Sequence, residues 1–270
     1  MMIKMLLSPC KWLMTVLMVG SVMLCGCAAH QTPQAVSPDE SLLRVGISPD
    51  SPPLISKKGD TPIGLEADLA RDLGAFLGKQ VRFIEVPWDE QITALLDDRT
   101  DIIMSGMSIT PLREVRIAFS EPYFRTGQMA LIGIKNKRIA PYGFYGIMGI
   151  SLTLRFGVVK GTTGENFVNK NFSKAKEIEP FKTAQAATAA LLRGRIDILI
   201  YDAPMILMLA AENESKGLTV IPSLLTEEYL AWGLRKSDPD LIEAVNRFVD
   251  HIAANGQLDE LIRRWIPFAK

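Results

Sequence analysis

The chain has 270 residues, and its 30 basic side chains equal its 30 acidic side chains in number. This length exceeds that of most compact single domains and is sufficient for two lobes with separate hydrophobic cores. Because the charges balance and form no long run of one sign, the composition argues against a polyanionic partner, and we expect no binding to nucleic acid.

The first residues predict export from the cytoplasm. Lys4 and Lys11 precede or border the apolar segment WLMTVLMVGSVML, which is too short to span a bilayer comfortably and suits a secretory signal. The segment ends in LCGC, which resembles a bacterial lipobox, and its final residue, Cys27, would then be lipidated. We predict a lipoprotein signal peptide over residues 1–26 and a flexible tether over residues 27–41. The alternative is a plain secretory signal with incidental cysteines.

The cysteine and histidine content limits the chemistry of the mature chain. All three cysteines lie at or before residue 27, so we expect no disulfide and no thiol chemistry. His30 lies in the tether and His251 in a C-terminal helix, so neither belongs to a metal-binding cluster. We expect no cofactor and no metal. The protein should lie in the periplasm or at the cell surface, held to membrane lipid through Cys27.

From Leu43 onward, strands alternate with helices, which predicts an α/β architecture. Apolar residues recur at helical spacing in IGLEADLARDLGAFLG, and that helix should end at Gly78. The first predicted elements are the strand LRVGI, this helix, the strand VRFIEV, the helix WDEQITALLDD and the strand DIIMSG.

The sequence contains an internal repeat. The segment ALLDDRTDIIMSG, from Ala94, matches ALLRGRIDILIYD, from Ala190, although chance similarity between two α/β units is the alternative. Each copy predicts a helix, a tight turn and a strand that ends in polar residues, Ser105 and Gly106 in one and Tyr201 and Asp202 in the other. Ligands bind outside the carboxyl ends of strands in open α/β sheets, so two facing sheets would form one cleft with two walls.

The segment after the first of these strand ends predicts an anion site. Arg113 can hold a carboxylate through two parallel hydrogen bonds, and Ser108 and Thr110 add hydroxyl donors. The alternative is an ion pair at the surface between Arg113 and Glu114 or Glu121.

The second wall offers groups of both signs. In FGVVKGTTGENF, a strand leads into a glycine-rich loop and a helix start, where free backbone N–H groups and Thr163 can bind an anion. The loop does not match the pattern that cradles nucleotide phosphates. Asp202 has the opposite preference and suits an ammonium group, unless it serves only as a helix N-cap. One carboxylate site and one ammonium site together indicate an amino acid.

These segments resemble the bacterial extracellular solute-binding proteins of family 3, which deliver polar amino acids to ABC importers. The resemblance runs from about Leu43 to the C-terminus and is carried by GLEADLARDLGAFLG, SGMSITPLREVRIAFSEPY, GVVKGTTGE and the Asp202 strand end. It implies the type II periplasmic-binding fold, with two Rossmann-like lobes joined by a two-segment hinge. We place lobe 1 at residues 42–131 and 230–270, and lobe 2 at residues 132–229.

The resemblance also implies how the ligand is held. Arg113, Ser108 and the Thr163 amide would bind its carboxylate. The Gly106 carbonyl and Asp202 would bind its ammonium group.

The ligand side chain would lie against Trp88, and Ser105 would face the same cleft. Two departures from the family concern this part of the site. Ser51 and Leu54 replace aromatic residues, so the stack around the ligand side chain loses one face. Ser48 stands where binders of basic amino acids tend to have an acid, which argues weakly against lysine or arginine as ligand.

The implied partners are a free amino acid and an ABC permease in the inner membrane, and we expect a monomer. A sensor subunit for another membrane partner is the alternative. An enzyme of this fold, cyclohexadienyl dehydratase, is a weaker one, because Met205 occupies the place of its proton-donating glutamate. The apolar segment PYGFYGIMGISL, residues 141–152, is predicted as a loop that is either locally buried or exposed for a partner.

Overall fold

The computed structural model describes residues 41–133, 136 and 143–267. The predicted signal peptide, Cys27 and all but the last residue of the tether lie outside the described residues. Within these ranges, no helix has both the length and the apolar character needed to cross a bilayer.

Strands and helices alternate along the described chain. In order they are β1 (Leu42–Ile47), β2 (Ser56–Lys58), β3 (Thr61–Ile63), α1 (Leu65–Leu77), β4 (Gln80–Glu85), α2 (Gln91–Leu96), β5 (Ile102–Ile103), α3 (Pro111–Arg116), β6 (Ala118–Phe119), β7 (Phe124–Thr126), β8 (Gln128–Gly133), α4 (Gly143–Ile150), β9 (Arg155–Val159), α5 (Thr163–Asn171), β10 (Glu177–Phe181), α6 (Ala184–Leu192), β11 (Ile198–Asp202), α7 (Ala203–Glu212), β12 (Leu218–Ile221), β13 (Glu228–Leu230), β14 (Gly233–Leu234), α8 (Pro239–Ala254) and α9 (Gln257–Trp265).

Two five-stranded sheets have the same internal order. The first runs β4-β1-β5-β14-β6 and the second β10-β9-β11-β8-β12. In each sheet the first three strands are parallel, and the fourth is antiparallel to both its neighbours. We call the parts built on these sheets lobe 1 and lobe 2. This arrangement confirms the predicted α/β architecture.

The chain passes between the two sheets twice. It enters the second sheet at β8 and returns to the first at β14, and next to these crossings β7 and β13 pair as a separate antiparallel ribbon. The predicted change of lobe at residue 131 falls inside β8, whose residues pair with β11 and β12. The first crossing therefore precedes Gln128.

The internal repeat corresponds to equivalent places in the two sheets. Asp101 accepts hydrogen bonds from the backbone N–H and Nε of Arg44, at 2.8 and 3.1 Å. Asp197 accepts the same pair of bonds from Arg155, both at 2.9 Å. Each aspartate directly precedes the third strand of its sheet, β5 or β11, and ties it to the neighbouring second strand, β1 or β9. The repeat is thus structural and not a chance similarity.

Both lobes have extensive cores. In lobe 1, Trp232 and Phe248 lie with ring centroids 5.9 Å apart, in the core that α1, α8 and α9 share with the first sheet. The second sheet is buried on both faces. Leu131 on one face and Ile132 on the other belong to different clusters, because successive residues of a strand point to opposite sides.

The apolar segment at 141–152 was predicted as a loop, and this prediction was wrong for its described part. Residues 143–150 form α4, in which Phe144 packs near Phe172, with ring centroids 5.7 Å apart, and Ile147 is fully buried. Tyr145 on the opposite side is 81% exposed. Three glycines, which disfavour a helix, hid the three-residue spacing of the buried side chains.

The paired aspartates give a first prediction. Asp101→Asn and Asp197→Asn should each lower the free energy of unfolding by roughly 1.5–3 kcal/mol, because each removes charged hydrogen bonds to an arginine. The hydrogen bond from Arg155 also holds the pKa of Asp197 below its usual value. Denaturant titration at neutral pH measures the effect. Glu243→Gln, in the exposed pair with Arg247 on α8, is the control and should cost under about 0.5 kcal/mol. Equal losses of unfolding free energy at all three positions would contradict the structural role of the two Arg–Asp pairs.

Candidate functional site

Groups from strand ends in both sheets meet in one pocket between the lobes. Lobe 1 supplies the turn after β5 and helix α3, and lobe 2 supplies the turn before α5 and the end of β11. The pocket is lined by Ser51, Leu54, Trp88, Ser105, Gly106, Ser108, Arg113, Thr162, Thr163, Tyr201 and Asp202. The structure therefore brings the predicted ligand-binding residues together, and their contact with a ligand is a prediction.

Arg113 lies in the cleft, and its own backbone N–H takes part in capping the helix that carries it. Thr110 caps α3 by accepting a hydrogen bond from the Arg113 N–H at 3.3 Å. The guanidinium donates to the Ser108 carbonyl at 2.8 Å and to the Gly161 carbonyl of lobe 2 at 3.4 Å. Its carbon lies 5.3 Å from the centroid of Trp88, at cation–π distance.

The pKa of Arg113 is set by burial and by two carboxylates of the cleft. Burial lowers the pKa of the guanidinium, and the charges of Asp202 and Glu228 oppose that shift. The alternative partners considered from sequence, Glu114 and Glu121, are not among the groups that act on it. Two carboxylates already act on the charge of Arg113. A further anionic group can therefore be held only by direct hydrogen bonds to the guanidinium.

Asp202 occupies the N-cap position of α7, but its side chain makes no capping hydrogen bond. Instead, Oδ1 accepts from Nε2 of Gln128 at 2.6 Å, and the same nitrogen contacts Thr163 Oγ1 at 2.9 Å. Burial raises the pKa of Asp202 to about 7, and the charge of Glu228 adds to this shift. The carboxylate therefore gains from any cation placed beside it.

Gln128 is a site residue that the sequence analysis missed. It begins β8, is fully buried, and joins Asp202 to Thr163. The side chain of Gln128 fits because residue 164 is a glycine, where a Cβ atom would lie 2.5 Å from Gln128 Oε1. A polar residue at the head of the apolar strand QMALIG was the available signal.

Glu228 is a second missed residue, at the first position of β13. Its Oε2 accepts from Ser108 Oγ of lobe 1 at 2.6 Å and from Thr163 Oγ1 of lobe 2 at 2.8 Å. Its Oε1 accepts from Thr226 Oγ1 at 2.8 Å. No sequence pattern distinguishes this acid from its neighbour Glu227, because its place in the cleft comes from the pairing of β13 with β7.

The turn at Gly106 is held from behind by Glu66. The Gly106 N–H donates to Oε1 of Glu66 at 2.7 Å, and Tyr123 and Trp232 donate to the same carboxylate at 2.6 and 2.8 Å. Burial raises the pKa of Glu66 to about 7, and these three donors oppose the shift. Gly106 has φ +67, and a Cβ there would lie 2.7 Å from Leu54 Cδ1, so the turn requires glycine.

Ser105 has a local role in the same turn. Its Oγ accepts the Ser48 N–H at 2.8 Å and so joins the ends of β5 and β1. The hydroxyl proton is still available to the pocket, because this bond uses only a lone pair.

Two aromatic residues span the gap between the lobes. Nε1 of Trp88 donates to the Gly161 carbonyl at 3.0 Å, and the Tyr201 hydroxyl lies 2.9 Å from Ser51 Oγ. Ser51 stands where an aromatic residue was expected, and buried Tyr201 of lobe 2 contributes a ring to the same pocket. Tyr201 was predicted at the polar end of this strand, beside Asp202, but was not predicted as a ligand-binding residue.

A larger cavity of about 350 Å³ adjoins the pocket and shares Ser51, Trp88 and Tyr201 with it. Its rim carries two acidic and two basic side chains, Asp50, Asp89, Lys160 and Lys182. Among the residues that the structure describes, no group of three or more His, Cys, Asp or Glu side chains is arranged to hold a metal ion.

Comparison with known proteins agrees with this geometry. The model of the bacterial extracellular solute-binding proteins, family 3, matches residues 43–268. The histidine-binding periplasmic protein of Salmonella typhimurium is 30% identical over 238 residues, which cover 84% of this chain and 88% of that protein. A crystal structure of an ancestral amino acid-binding protein, described as a precursor of cyclohexadienyl dehydratase, is 32% identical with a TM-score of 0.75 and covers 84% of this chain and 95% of that one. An ancestral arginine-binding protein bound to arginine is 27% identical with a TM-score of 0.75, over 85% and 99% of the two chains.

The raised pKa of Asp202 gives a second prediction. A carboxyl group whose pKa is about 7 when folded and about 3.9 when unfolded holds its proton more tightly in the folded state, so stability falls as pH rises between these values. In the ligand-free protein, Asp202→Asn should therefore make the loss of unfolding free energy between pH 5 and pH 8 less steep. Denaturant titrations at several pH values test this. Asp89→Asn, on the exposed rim, should leave the slope unchanged, and a wild-type slope in Asp202→Asn would refute the assignment.

Proposed function

The chain belongs to the bacterial extracellular solute-binding proteins, family 3, and on that premise we propose that it captures a polar amino acid between its two lobes. The observation that carries the proposal is the pairing of opposite charges in one pocket, with Arg113 on lobe 1 and Asp202 on lobe 2. A free amino acid presents a carboxylate and an ammonium group a few bonds apart, and it would neutralise both.

In the proposed complex, Arg113 and the backbone N–H groups at the start of α5 hold the carboxylate. Asp202 and the Gly106 carbonyl hold the ammonium group. The ammonium group lowers the pKa of Asp202 and so favours its ionised form. The ligand side chain extends into the 350 Å³ cavity beside Trp88 and Tyr201.

Ligand binding is proposed to favour closure of the lobes. Because the binding groups are divided between the lobes, only the closed arrangement makes every contact, and the ligand therefore shifts the population toward it. The ribbon of β7 and β13 next to the two crossings is the proposed hinge. We propose lobe boundaries before Gln128 and after Leu230, with the signal peptide and tether as predicted from sequence.

The relatives indicate the class of ligand and partner. Their names specify binding of histidine and of arginine, and we extend this only to a polar amino acid here. We propose delivery to an ABC permease by a monomeric protein anchored through Cys27 in the periplasm or at the cell surface. A sensor role would use the same cleft, and permease and ATPase genes beside this gene would favour transport.

An enzymatic role has one observation in its favour, the similarity to the ancestral protein described as a precursor of cyclohexadienyl dehydratase. At the place of the proton donor in that enzyme this chain has Met205, whose side chain is 2% exposed in the core of lobe 2. A thioether cannot donate a proton, so we favour a binding protein.

Removal of the guanidinium tests the carboxylate site. Arg113→Ala should weaken binding of the cognate amino acid by about 2–5 kcal/mol, because it removes one partner of a buried charged pair. Isothermal calorimetry with the common polar amino acids first identifies the ligand and then compares variants. Arg116→Ala on the exposed side of the same helix is the matched control and should bind as the wild type does. An affinity of Arg113→Ala within threefold of wild type would exclude the proposed role.

A separate prediction concerns the anchor. Cys27→Ser removes the residue that would carry the acyl chains. Because stable membrane attachment needs two or more such chains, the variant should lack lipid and no longer fractionate with membranes. Cys25→Ser keeps a small residue two positions earlier and should remain lipidated. Mass spectrometry of the mature N-terminus, with membrane fractionation, distinguishes the variants. Wild-type protein that is soluble and lacks a lipid mass would disprove the lipoprotein assignment.

A further inference from the structure

Glu228 accepts hydrogen bonds from the hydroxyl groups of Ser108 and Thr163, two residues that were expected to bind the ligand. Ser108 and Thr163 each donate to its Oε2, one from each lobe. A hydroxyl carries one proton, so neither side chain can donate to a ligand carboxylate at the same time. The ligand carboxylate then depends on Arg113 and on backbone N–H groups.

The Glu228 carboxylate is held in place from its other side as well. Thr226 Oγ1 donates to Oε1 at 2.8 Å and itself accepts the Gln128 N–H at 2.8 Å. Both oxygens of the carboxylate are thus engaged. Glu228 is therefore a fixed part of the cleft.

The charges within the cleft do not balance. Asp202 and Glu228 both act on Arg113, and no other cation contributes to the shift of either Arg113 or Asp202 among the described residues. When both acids are ionised, two negative charges face one positive charge. A zwitterionic amino acid adds no net charge and leaves this excess in place, and an uncompensated charge away from water is costly.

We propose that Glu228 is a specificity-determining residue, which makes the cleft net negative and selects ligands with a net positive charge over neutral ligands of the same shape. This inference rests on the proposed function and deepens it. Position 48 holds a serine where binders of basic amino acids tend to have an acid, and in this proposal Glu228 supplies that negative charge from the ribbon of β7 and β13.

The rest of the ligand path is consistent with a cationic side chain. The two acids and two lysines at the rim of the 350 Å³ cavity cancel in net charge, so selection depends on the deeper groups. Trp88 and Tyr201, which line both spaces, present aromatic rings to which a guanidinium or ammonium group is attracted.

Pairs of ligands that differ in charge but hardly in shape test the proposal. Arginine is compared with citrulline, and lysine with norleucine, by calorimetry at pH 8 on the full mature chain. In at least one pair, the wild type should prefer the cationic member by about tenfold or more, and Glu228→Gln should reduce this ratio at least about fivefold. Glu227→Gln is the matched control, because Glu227 pairs with Arg125 and Tyr229 at the surface. It should leave the ratio within about twofold of wild type.

Glu228→Asp separates charge from structure. It keeps the negative charge, so it should keep the preference for the cationic ligand even if overall affinity falls, and it serves as the test if Glu228→Gln does not fold. Equal binding of both members of each pair by the wild type, or an unchanged ratio in Glu228→Gln, would overturn the inference and leave the proposed function intact. If no amino acid binds the wild type, the proposed function fails and the inference with it.

Discussion

A carboxylate removed from water must be met by donors or by opposite charge, and this requirement shapes the cleft. Asp202 and Glu228 are satisfied through one hydrogen-bonded chain that passes through Gln128, Thr163 and Ser108. This series of hydrogen bonds begins at Asp202 on lobe 2 and ends at Ser108 on lobe 1. Because each bond depends on the position of the next group, the network favours one arrangement of the two lobes. In that arrangement Arg113 and Asp202 line the same pocket.

The two lobes form their walls of the cleft with the same arrangement of strands, but different residues stand at the strand ends. Equivalent Arg–Asp pairs fix the third strand of each sheet, and the carboxyl end of each third strand leads into residues that line the pocket. On lobe 1 that end is Ser105 and Gly106, which offer backbone groups, and on lobe 2 it is Tyr201 and Asp202. A common frame thus supports two chemically complementary walls.

Local patterns were enough to predict the α/β fold, the repeat and the main residues of the cleft, such as Arg113 and Asp202, because these follow directly from strand ends. Gln128 and Glu228 depend on long-range pairing. Each begins a strand whose neighbours lie far away in sequence, and hydrophobic periodicity carries no information about such partners. The lobe boundary was misplaced for the same reason, since β8 is continuous in sequence with the ribbon strand β7. In α4, glycines concealed a helix that burial of Phe144 and Ile147 stabilises.

The placement of β14 has a consequence for the order in which the protein can fold. This strand lies between β5 and β6, so the first sheet is incomplete until residue 234 is available, and the core contribution of Trp232 arrives equally late. All five strands of the second sheet come from one continuous stretch, residues 128–221. Lobe 2 can therefore assemble as soon as it emerges, whereas lobe 1 must wait for a strand that is distant in sequence, and closing such contacts is slow. Lobe 1, which contains the first described strand β1, is thus the last to become stable.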